Sequence, residues 1–161
     1  MKELPKYATV NVSLIVRDAK AAIAFYEEVF GARHLYSLTM PGGSIAHAEF
    51  KIGDTTVMIA DEHPEWGNKS PATLGGSPVV LNVMVDDPDA SAAKAVAAGG
   101  KLMMPVTDQF YGFRSGRIQD PSGHIWIVSK MIEEVSPEDM QRRMDAWIAG
   151  STLARSNGEG H

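Results

Sequence analysis

The sequence predicts an α+β fold in which two βαβββ modules follow one another and a C-terminal helix completes the chain. Residues 12–19 resemble residues 81–88, with Asp18 and Asp87 at the same place 69 positions apart. The same offset relates a glycine that follows each predicted helix, and self-similarity at a fixed offset indicates a repeated unit. A chain of 161 residues is also long enough to bury a hydrophobic core.

The repeat and the shifts in composition divide the chain into one domain with two additions. The domain contains a first module, a linker rich in Pro, Gly, Asn and Ser, and a second module. A helix and a disordered tail are expected after it. The predicted boundaries are residues 1–135 for the domain, with modules over 8–61 and 78–130 and the linker over 62–77, residues 136–150 for the helix, and residues 151–161 for the tail.

The first module begins with a β-rich run over residues 8–16. Asp18 follows the run and is expected to N-cap a helix, because its carboxylate accepts a free backbone N–H. Apolar residues recur at helical spacing over residues 19–30, and Gly31 then suits the left-handed geometry of a helix C-cap. Three strands follow, separated by turns that contain glycine.

The second module repeats this order. A β-rich run over residues 78–85 opens it, Asp87 is the expected N-cap of a helix over residues 89–98, and two glycines end that helix. Three more strands follow. Beyond the module, Ser136 precedes a proline and two acidic residues, which together indicate a helix start. An apolar stripe extends this helix to about residue 148.

Composition excludes several classes of function. The chain has no cysteine, so disulfides, thiolate catalysis and zinc–thiolate sites are excluded. It carries a net charge of −5 and no basic cluster, which argues against nucleic acid as a partner. No apolar run is long enough to span a bilayer, and no signal peptide begins the sequence. We therefore expect a cytoplasmic protein that has no membrane partner.

Short motifs in both modules carry a family resemblance. They lie at residues 17–19, 24–26 and 30–32 in the first module and at residues 119–126 in the second. In this order and in duplicate they resemble the vicinal oxygen chelate superfamily, which includes glyoxalase I, extradiol dioxygenases, fosfomycin-resistance enzymes and bleomycin-resistance proteins. The linker and residues 108–112 are similar to an uncharacterised bacterial glyoxalase-like branch of that superfamily.

The resemblance implies a ligand site and its oligomeric context. In the family the strands curl into a cup with helices outside, and cups often form between two subunits, so it implies a homodimer. Family metal ligands occupy one position on each opening and each closing strand, which here are Asn11, Met58, Val80 and Ile127. Methionine and aliphatic side chains are not ligands for a divalent first-row metal, so we expect neither a metal nor another cofactor.

Alternation along the strands predicts which side chains face the cup, because successive residues of a strand point to opposite faces. The opening strands direct Asn11 and Ser13 into the cup from the first module, and Asn82 and Met84 from the second. Met58 on a closing strand joins them. These five residues are predicted to bind a small-molecule ligand.

A polar group on the middle strands is the candidate for chemistry. His47 and Glu49 are two residues apart and share a strand face, and the offset of 69 places Arg114 on the corresponding face of the second module. His47 and Glu49 suit a base with its orienting partner, or two ligands of a displaced metal site. Arg114 suits an anion anchor or an ion pair with Glu49. The alternative is a solvated polar strand face.

Three aromatic residues are predicted to lie on loops. Trp66, Phe110 and Tyr111 are placed to close over a flat ligand by stacking, or to make local packing or dimer contacts. Trp126, in contrast, is predicted to face the helices as part of the core.

These residues support one leading hypothesis for function and two alternatives. The leading hypothesis is a metal-independent protein of the bleomycin-resistance type that binds a hydrophobic or aromatic small molecule, an antibiotic being one such ligand. The first alternative is a glyoxalase-like lyase or isomerase that uses His47, Glu49 and Arg114. The second is a structural domain without a ligand, against which the polar residues of the cup argue, since unpaired buried polar groups are costly.

Overall fold

A computed structural model describes residues 4–156, with side chains as far as Ser151, and it confirms the α+β class and the tandem βαβββ order. The first module contains β1 (Val12–Val16), α1 (Ala19–Phe30), β2 (Arg33–Thr39), β3 (Ile45–Ile52) and β4 (Thr55–Asp61). The linker contains a 3-10 turn (Pro64–Trp66) and a short helix, α2 (Pro71–Leu74). The second module contains β5 (Val80–Met84), α3 (Pro88–Ala97), β6 (Lys101–Asp108), β7 (Phe113–Gln119) and β8 (Ile125–Met131), and α4 (Pro137–Ser156) follows it.

Each module forms its own four-stranded sheet. Sheet 1 has the order β1-β4-β3-β2 and sheet 2 the order β5-β8-β7-β6, with the opening strand parallel to the closing strand and the other pairs antiparallel. Each of the helices α1 and α3 packs on one face of its own sheet. We call the other face the open face. Within residues 4–156, no strand of sheet 1 contacts a strand of sheet 2.

The predicted caps define the starts of the two main helices. The Asp18 carboxylate accepts a hydrogen bond from the backbone N–H of Ala21 at 2.9 Å, and that of Asp87 accepts one from Ala90 at 3.0 Å. α1 ends at Gly31, whose φ of 63° lies in the left-handed region that glycine tolerates. The predicted extent of α1 is confirmed, and α3 begins and ends one residue earlier than expected.

The core lies between each sheet and its helix and continues from one module to the other through aromatic rings. Tyr26 on α1 is fully buried and stacks on Phe50 of β3 at 5.3 Å between ring centroids. Trp126 of β8 lies 5.3 Å from the ring of Tyr26 and 5.0 Å from that of Phe30. The prediction that Trp126 belongs to the core is therefore confirmed. Burying each of these rings stabilises the fold by about 1.5–3 kcal/mol.

The buried carboxylate of Asp120 stabilises the same contact between the modules. We call Asp120, Tyr26 and Trp126 the Asp120 cluster. The Oδ2 atom of Asp120 accepts hydrogen bonds from the Tyr26 hydroxyl at 2.5 Å and from the indole N–H of Trp126 at 2.9 Å. Its Oδ1 atom accepts the backbone N–H groups of Ser122 and His124, both at 3.0 Å. Burial, together with the charge of Asp120, raises the pKa of Tyr26 well above its usual value.

The linker packs against the first module. Ser70 is fully buried and N-caps α2, and the Glu62 carboxylate accepts its backbone N–H at 2.8 Å. The short helix α2 lies against β1. Trp66 remains 60% exposed and its ring lies 4.4 Å from that of His63. The linker is thus held against β1, and it leaves Trp66 and Leu74 exposed at the surface.

The helix α4 extends away from the domain. It continues to Ser156, so residues 151–156 are helical and are not the disordered tail that we expected, while residues 157–161 lie outside the described residues. No Cα atom of α4 comes within 8 Å of another described helix or strand. Its anchor is Arg143, which bonds Glu133 at 2.6 Å and the carbonyl of Phe110 at 3.2 Å. None of the helices within residues 4–156 has the length and apolar character needed to cross a membrane.

The Asp120 cluster generates the first prediction. Replacing Tyr26 with Phe removes one hydrogen bond to a buried charge, so the free energy of unfolding should fall by about 1.5–3 kcal/mol. Tyr111→Phe is the matched control, because the Tyr111 hydroxyl makes only a 3.4 Å contact with Ser115, and it should change stability by less than about 1 kcal/mol. Urea denaturation measures both variants, and equal losses would contradict a special role for Asp120.

Candidate functional site

The open face of sheet 1 carries a continuous row of side chains across four strands. The strand register pairs Ser13 with Met58, Met58 with Glu49, and Glu49 with Tyr36. Paired residues point to the same face, and Val57 and Phe50 on the neighbouring positions are buried on the helix side. The prediction that Ser13, Met58 and Glu49 share a face with His47 is thus met by the register.

Four side chains converge on this face, and we call Tyr7, Tyr36, His47 and Glu49 the Glu49 cluster. The Glu49 side chain is only 2% exposed. Its Oε1 atom accepts hydrogen bonds from Tyr36 at 2.8 Å and Tyr7 at 2.9 Å and lies 3.0 Å from Nε2 of His47, while Oε2 lies 3.1 Å from the Tyr7 hydroxyl. Strand β3 supplies two members, β2 one, and the segment before β1 the fourth.

The cluster keeps Glu49 ionised. Burial opposes the charged form, but hydrogen bonds from His47, Tyr36 and Tyr7 outweigh it and lower the pKa of Glu49 below its usual value. The same carboxylate raises the pKa of Tyr36 to about 12, chiefly through the hydrogen bond that Tyr36 donates. Glu49 is therefore a permanent acceptor at neutral pH, and both tyrosines keep their protons.

His47 is the member of the cluster that reaches solvent, with its side chain 33% exposed. An ionised carboxylate only accepts hydrogen bonds, so the Nε2 atom that contacts Glu49 carries the hydrogen. The Nδ1 atom of a neutral ring then holds a lone pair, because a neutral imidazole has one donor and one acceptor nitrogen. The arrangement fixes the ring and leaves one basic nitrogen that Glu49 does not use.

The open face of sheet 2 carries the corresponding row. The register pairs Asn82 with Ile127, Ile127 with Arg117, and Arg117 with Met104. The neighbouring Ile118 is fully buried on the helix side. Position by position, Arg117 in sheet 2 therefore corresponds to Glu49 in sheet 1.

The prediction that Arg114 faces the cup is wrong. Its guanidinium bonds both carboxylate oxygens of Asp89 on α3, at 2.7 and 2.8 Å, and that of Asp108 at 2.8 Å, so it lies on the helix side and not beside Glu49. The cause is a turn length: Phe50 pairs with Val57 seven residues later, whereas Ile118 pairs with Trp126 eight residues later. One extra residue in the β7–β8 turn shifts the offset from 69 to 68 on β7, and a one-residue shift reverses every side chain.

The remaining predicted residues of the opening strands differ in their surroundings. Asn11 precedes β1 and bonds the backbone N–H and carbonyl of Ala8, at 2.9 and 2.7 Å, so its amide closes a local loop. Asn82 and Met84 lie on the open face of β5, with Met84 59% exposed. A groove of about 600 Å³ between the modules also reaches both of these residues.

The predicted aromatic residues do not form one group. Tyr111 reaches toward Ser115 on the open face of β7, at 3.4 Å between oxygens. Phe110 packs edge-on against Tyr111 and lies 6.0 Å from the ring of Trp147 on α4. Phe110 thus contributes to the anchor of α4, which is the local-packing alternative. Trp66 is on the linker, in contact with His63.

The side chains present do not fit the metal that the family resemblance implies. The Asn11 amide is bonded to the backbone of Ala8, and Met58, Val80 and Ile127 lack ligand atoms suited to a first-row cation. Glu49 already accepts three donors. Among the described residues, no group of three or more His, Cys, Asp or Glu side chains is arranged to hold a metal ion.

Sequence reasoning missed Tyr7, Tyr36 and Arg117. The strand pattern of β2 contained Tyr36, but only the register with β3 shows that it meets Glu49. Tyr7 precedes the first strand, where alternation gives no information. Arg117 was recoverable from the longer Asp120–Gly123 turn, because that turn changes the offset between the modules.

Comparison with known proteins agrees with the fold. The sequence profile of the Glyoxalase/Bleomycin resistance protein/Dioxygenase superfamily matches residues 8–128. The uncharacterised protein Mb0911c of Mycobacterium bovis is 38% identical over 136 residues, which is 83% of this chain and 90% of that protein. The crystal structure of TioX from Micromonospora sp. ML1 is 26% identical with a TM-score of 0.59, over 78% of this chain and 99% of TioX. The fosfomycin resistance protein FosX from Mesorhizobium loti shares the fold at 22% identity and a TM-score of 0.57, over 77% of this chain and 91% of FosX.

The Glu49 cluster generates the second prediction. Glu49→Gln removes a charge that three donors stabilise, so the free energy of unfolding at pH 7 should fall by about 1–3 kcal/mol. Because the folded state lowers the pKa of Glu49, its contribution is present above the usual glutamate range and disappears as the pH falls through the lowered pKa. The variant should therefore lose less stability than the wild type on acidification.

Urea denaturation at neutral and at acidic pH measures this difference. Glu28→Gln is the control, since Glu28 is exposed on α1, and it should stay within about 0.5 kcal/mol of the wild type at pH 7. Parallel acid profiles for Glu49→Gln and the wild type would show that Glu49 is not held as an ionised acceptor.

Proposed function

The chain belongs to the Glyoxalase/Bleomycin resistance protein/Dioxygenase superfamily, and from that premise we propose that it is a metal-independent protein that binds a hydrophobic or aromatic small molecule. The ligand lies against the open faces of the sheets. Two copies of the chain form the site, with sheet 1 of one protomer beside sheet 2 of its partner.

The observation that carries this proposal is the mixed character of the open faces. Large apolar side chains on them are strongly exposed, with Leu38 at 57%, Met84 at 59% and Met104 at 51%. Exposed apolar side chains on the open face of each sheet suit an interaction site in a globular protein. Methionine adapts its shape to irregular ligands, and the nearby Glu49 cluster and Arg117 offer directional polar contacts.

The separation of the two sheets supports a site between subunits. A ligand pocket buries most of the surface of its ligand, which requires walls on more than one side. The two sheets of one chain have no strand contact within residues 4–156, so their open faces do not form a shared wall. A second copy provides the missing wall, and it covers the exposed apolar side chains at the same time.

Ligand class follows from the residues that line the open faces. Their methionine and isoleucine side chains suit a flat or irregular apolar body, and Tyr111, which reaches the open face at Ser115, remains available for stacking. The name of the structural relative FosX, a fosfomycin resistance protein, makes antibiotics one class of compound to test.

A second candidate function is supported by one specific contact. The 3.0 Å bond between Nε2 of His47 and Glu49 orients a histidine whose other nitrogen is available as a base. Such a base suits a lyase or isomerase that removes a proton beside a carbonyl group. Glu49 positions the ring and stays ionised, and Arg114 has no part in this version because it lies on the helix side.

The third prediction concerns metal. Protein purified without chelator and then incubated with nickel, manganese or zinc should retain well below one ion per chain in elemental mass spectrometry, since the implied ligand positions lack donors. His47→Ala is the matched variant. One ion per wild-type chain that is absent from His47→Ala would contradict the proposal and favour an enzyme with a displaced metal site.

The fourth prediction concerns the second copy. The chain has no cysteine, so Ser13→Cys on β1 and Asn82→Cys on β5 introduce unique thiols on the two open faces. A double variant treated with a short bis-maleimide should give a crosslinked dimer in denaturing gels. Each single variant is a control and should give far less dimer. Crosslinking confined to single chains would place both faces in one subunit and overturn the shared site.

A further inference from the structure

We propose that Arg117 is an anion-binding residue of the ligand site, and that the ligand carries a carboxylate or a similar small oxyanion beside its apolar part. This inference rests on the proposed function, because it names the chemical class of the molecule that the open faces bind. It places the polar end of the ligand at sheet 2. Arg117 lies three residues along β7 from Arg114, which the sequence analysis suggested as an anion anchor.

The position of Arg117 places it in the middle of the open face of sheet 2. Its strand neighbours in the register are Ile127 on β8 and Met104 on β6, and Asn82 on β5 is one strand further. The guanidinium is thus set among apolar side chains with an amide nearby. A ligand that contacts Met104 or Ile127 with its apolar part brings a polar end within reach of Arg117.

Arg117 also has an unpaired nitrogen within the part of the chain that the structure describes. Its Nε atom is buried and has no hydrogen-bond partner. Other arginines bond acidic side chains: Arg17 pairs with Glu62, Arg114 with Asp89 and Asp108, Arg142 with Asp139, and Arg143 with Glu133. A charged group with an unpartnered buried donor is costly, so an oxyanion that binds the partly exposed guanidinium gains binding free energy. The fork of a guanidinium fits a carboxylate with two parallel hydrogen bonds.

The surroundings of Arg117 favour an anion. The open face of sheet 2 contains no acidic side chain among the described strand positions that share the face of Arg117. It does contain hydroxyl and amide groups, at Ser115 on β7, Ser129 on β8 and Asn82 on β5. The chain as a whole carries a net charge of −5, so this face is an exception to its average charge.

The corresponding position of sheet 1 shows that Arg117 is not simply one half of a structural ion pair. Glu49 occupies that position, and its carboxylate already accepts hydrogen bonds from Tyr7, Tyr36 and His47 within its own module. The Glu49 carboxylate of sheet 1 has hydrogen-bond partners within its own module, whereas the Arg117 guanidinium of sheet 2 has a nitrogen without a partner among the described residues. The repeat has therefore diverged into one satisfied charge and one that is open to an external partner.

The test uses the side-chain Nε–Hε signal of Arg117 in nitrogen-15 NMR spectra of the full chain, assigned by its loss in Arg117→Gln. Three probes are titrated: benzoate, its uncharged analogue benzamide, and inorganic phosphate. Benzoate should shift the Arg117 signal in a saturable manner, and benzamide should leave it in place. Phosphate should shift the same signal with weaker affinity, because it lacks the apolar part.

Variants on one strand provide the matched comparison. Arg117→Gln should weaken benzoate binding by about tenfold or more, as expected for a hydrogen-bonded charge pair. Arg114→Gln removes an arginine three residues away on the opposite face and should bind benzoate within about twofold of the wild type. Arg117→Lys keeps the charge without the fork and should give an intermediate affinity. Circular dichroism confirms that each variant is folded.

Several outcomes would overturn the inference. If neither benzoate nor phosphate shifts the Arg117 signal, or if Arg117→Gln binds benzoate as the wild type does, Arg117 does not bind anions. A shift of the Arg117 signal in ligand-free Glu49→Gln would identify Glu49 of a second copy as its partner instead. If benzamide and benzoate bind equally to the wild type and to Arg117→Gln, the anion inference fails while the proposed small-molecule site stands. Metal binding at His47, measured separately, would count against the proposed function and leave the Arg117 result unaffected.

Discussion

The buried carboxylate of Asp120 is the contact on which the arrangement of the two modules depends. It closes its own turn through two backbone N–H groups and accepts the hydroxyl of Tyr26 from the helix of the other module. Because each donor is itself fixed in a packed aromatic core, the modules are joined through their helix sides. The open faces of both sheets are consequently directed away from that junction, which leaves them free for the proposed ligand and second subunit.

The two open faces descend from one repeated pattern but carry opposite charges at equivalent positions. Glu49 is surrounded by three donors, which hold it ionised and keep it occupied. Arg117 has a buried nitrogen without a partner among residues 4–156. The proposed site between these two faces is therefore chemically asymmetric, with a histidine and tyrosine hydroxyls on one wall and an arginine on the other. Such asymmetry orients a ligand that has a polar and an apolar end.

The positions that correspond to the superfamily's metal ligands also lie on these open faces. Met58 and Ile127 stand in the middle of the two rows, where a divalent cation would require an imidazole or a carboxylate. The polar groups that remain are displaced by one strand, on β3 and β7. In the proposed site, hydrogen-bonding capacity therefore comes from protein side chains and not from a central ion, which favours direct binding of the proposed ligand.

The sequence by itself determined the duplicated βαβββ order, the capped helices and the core position of Trp126, because these depend on local propensity and on apolar periodicity. It also placed His47 and Glu49 on one face, since two residues on a strand need only alternation. Tertiary structure decided the rest. Alternation assigned Arg114 to the wrong face, because one extra residue in the β7–β8 turn reverses the strand, and only the pairing register reveals Arg117. Tyr7 donates a hydrogen bond to Glu49, which lies 42 residues later in the chain, and no local sequence pattern predicts such a contact.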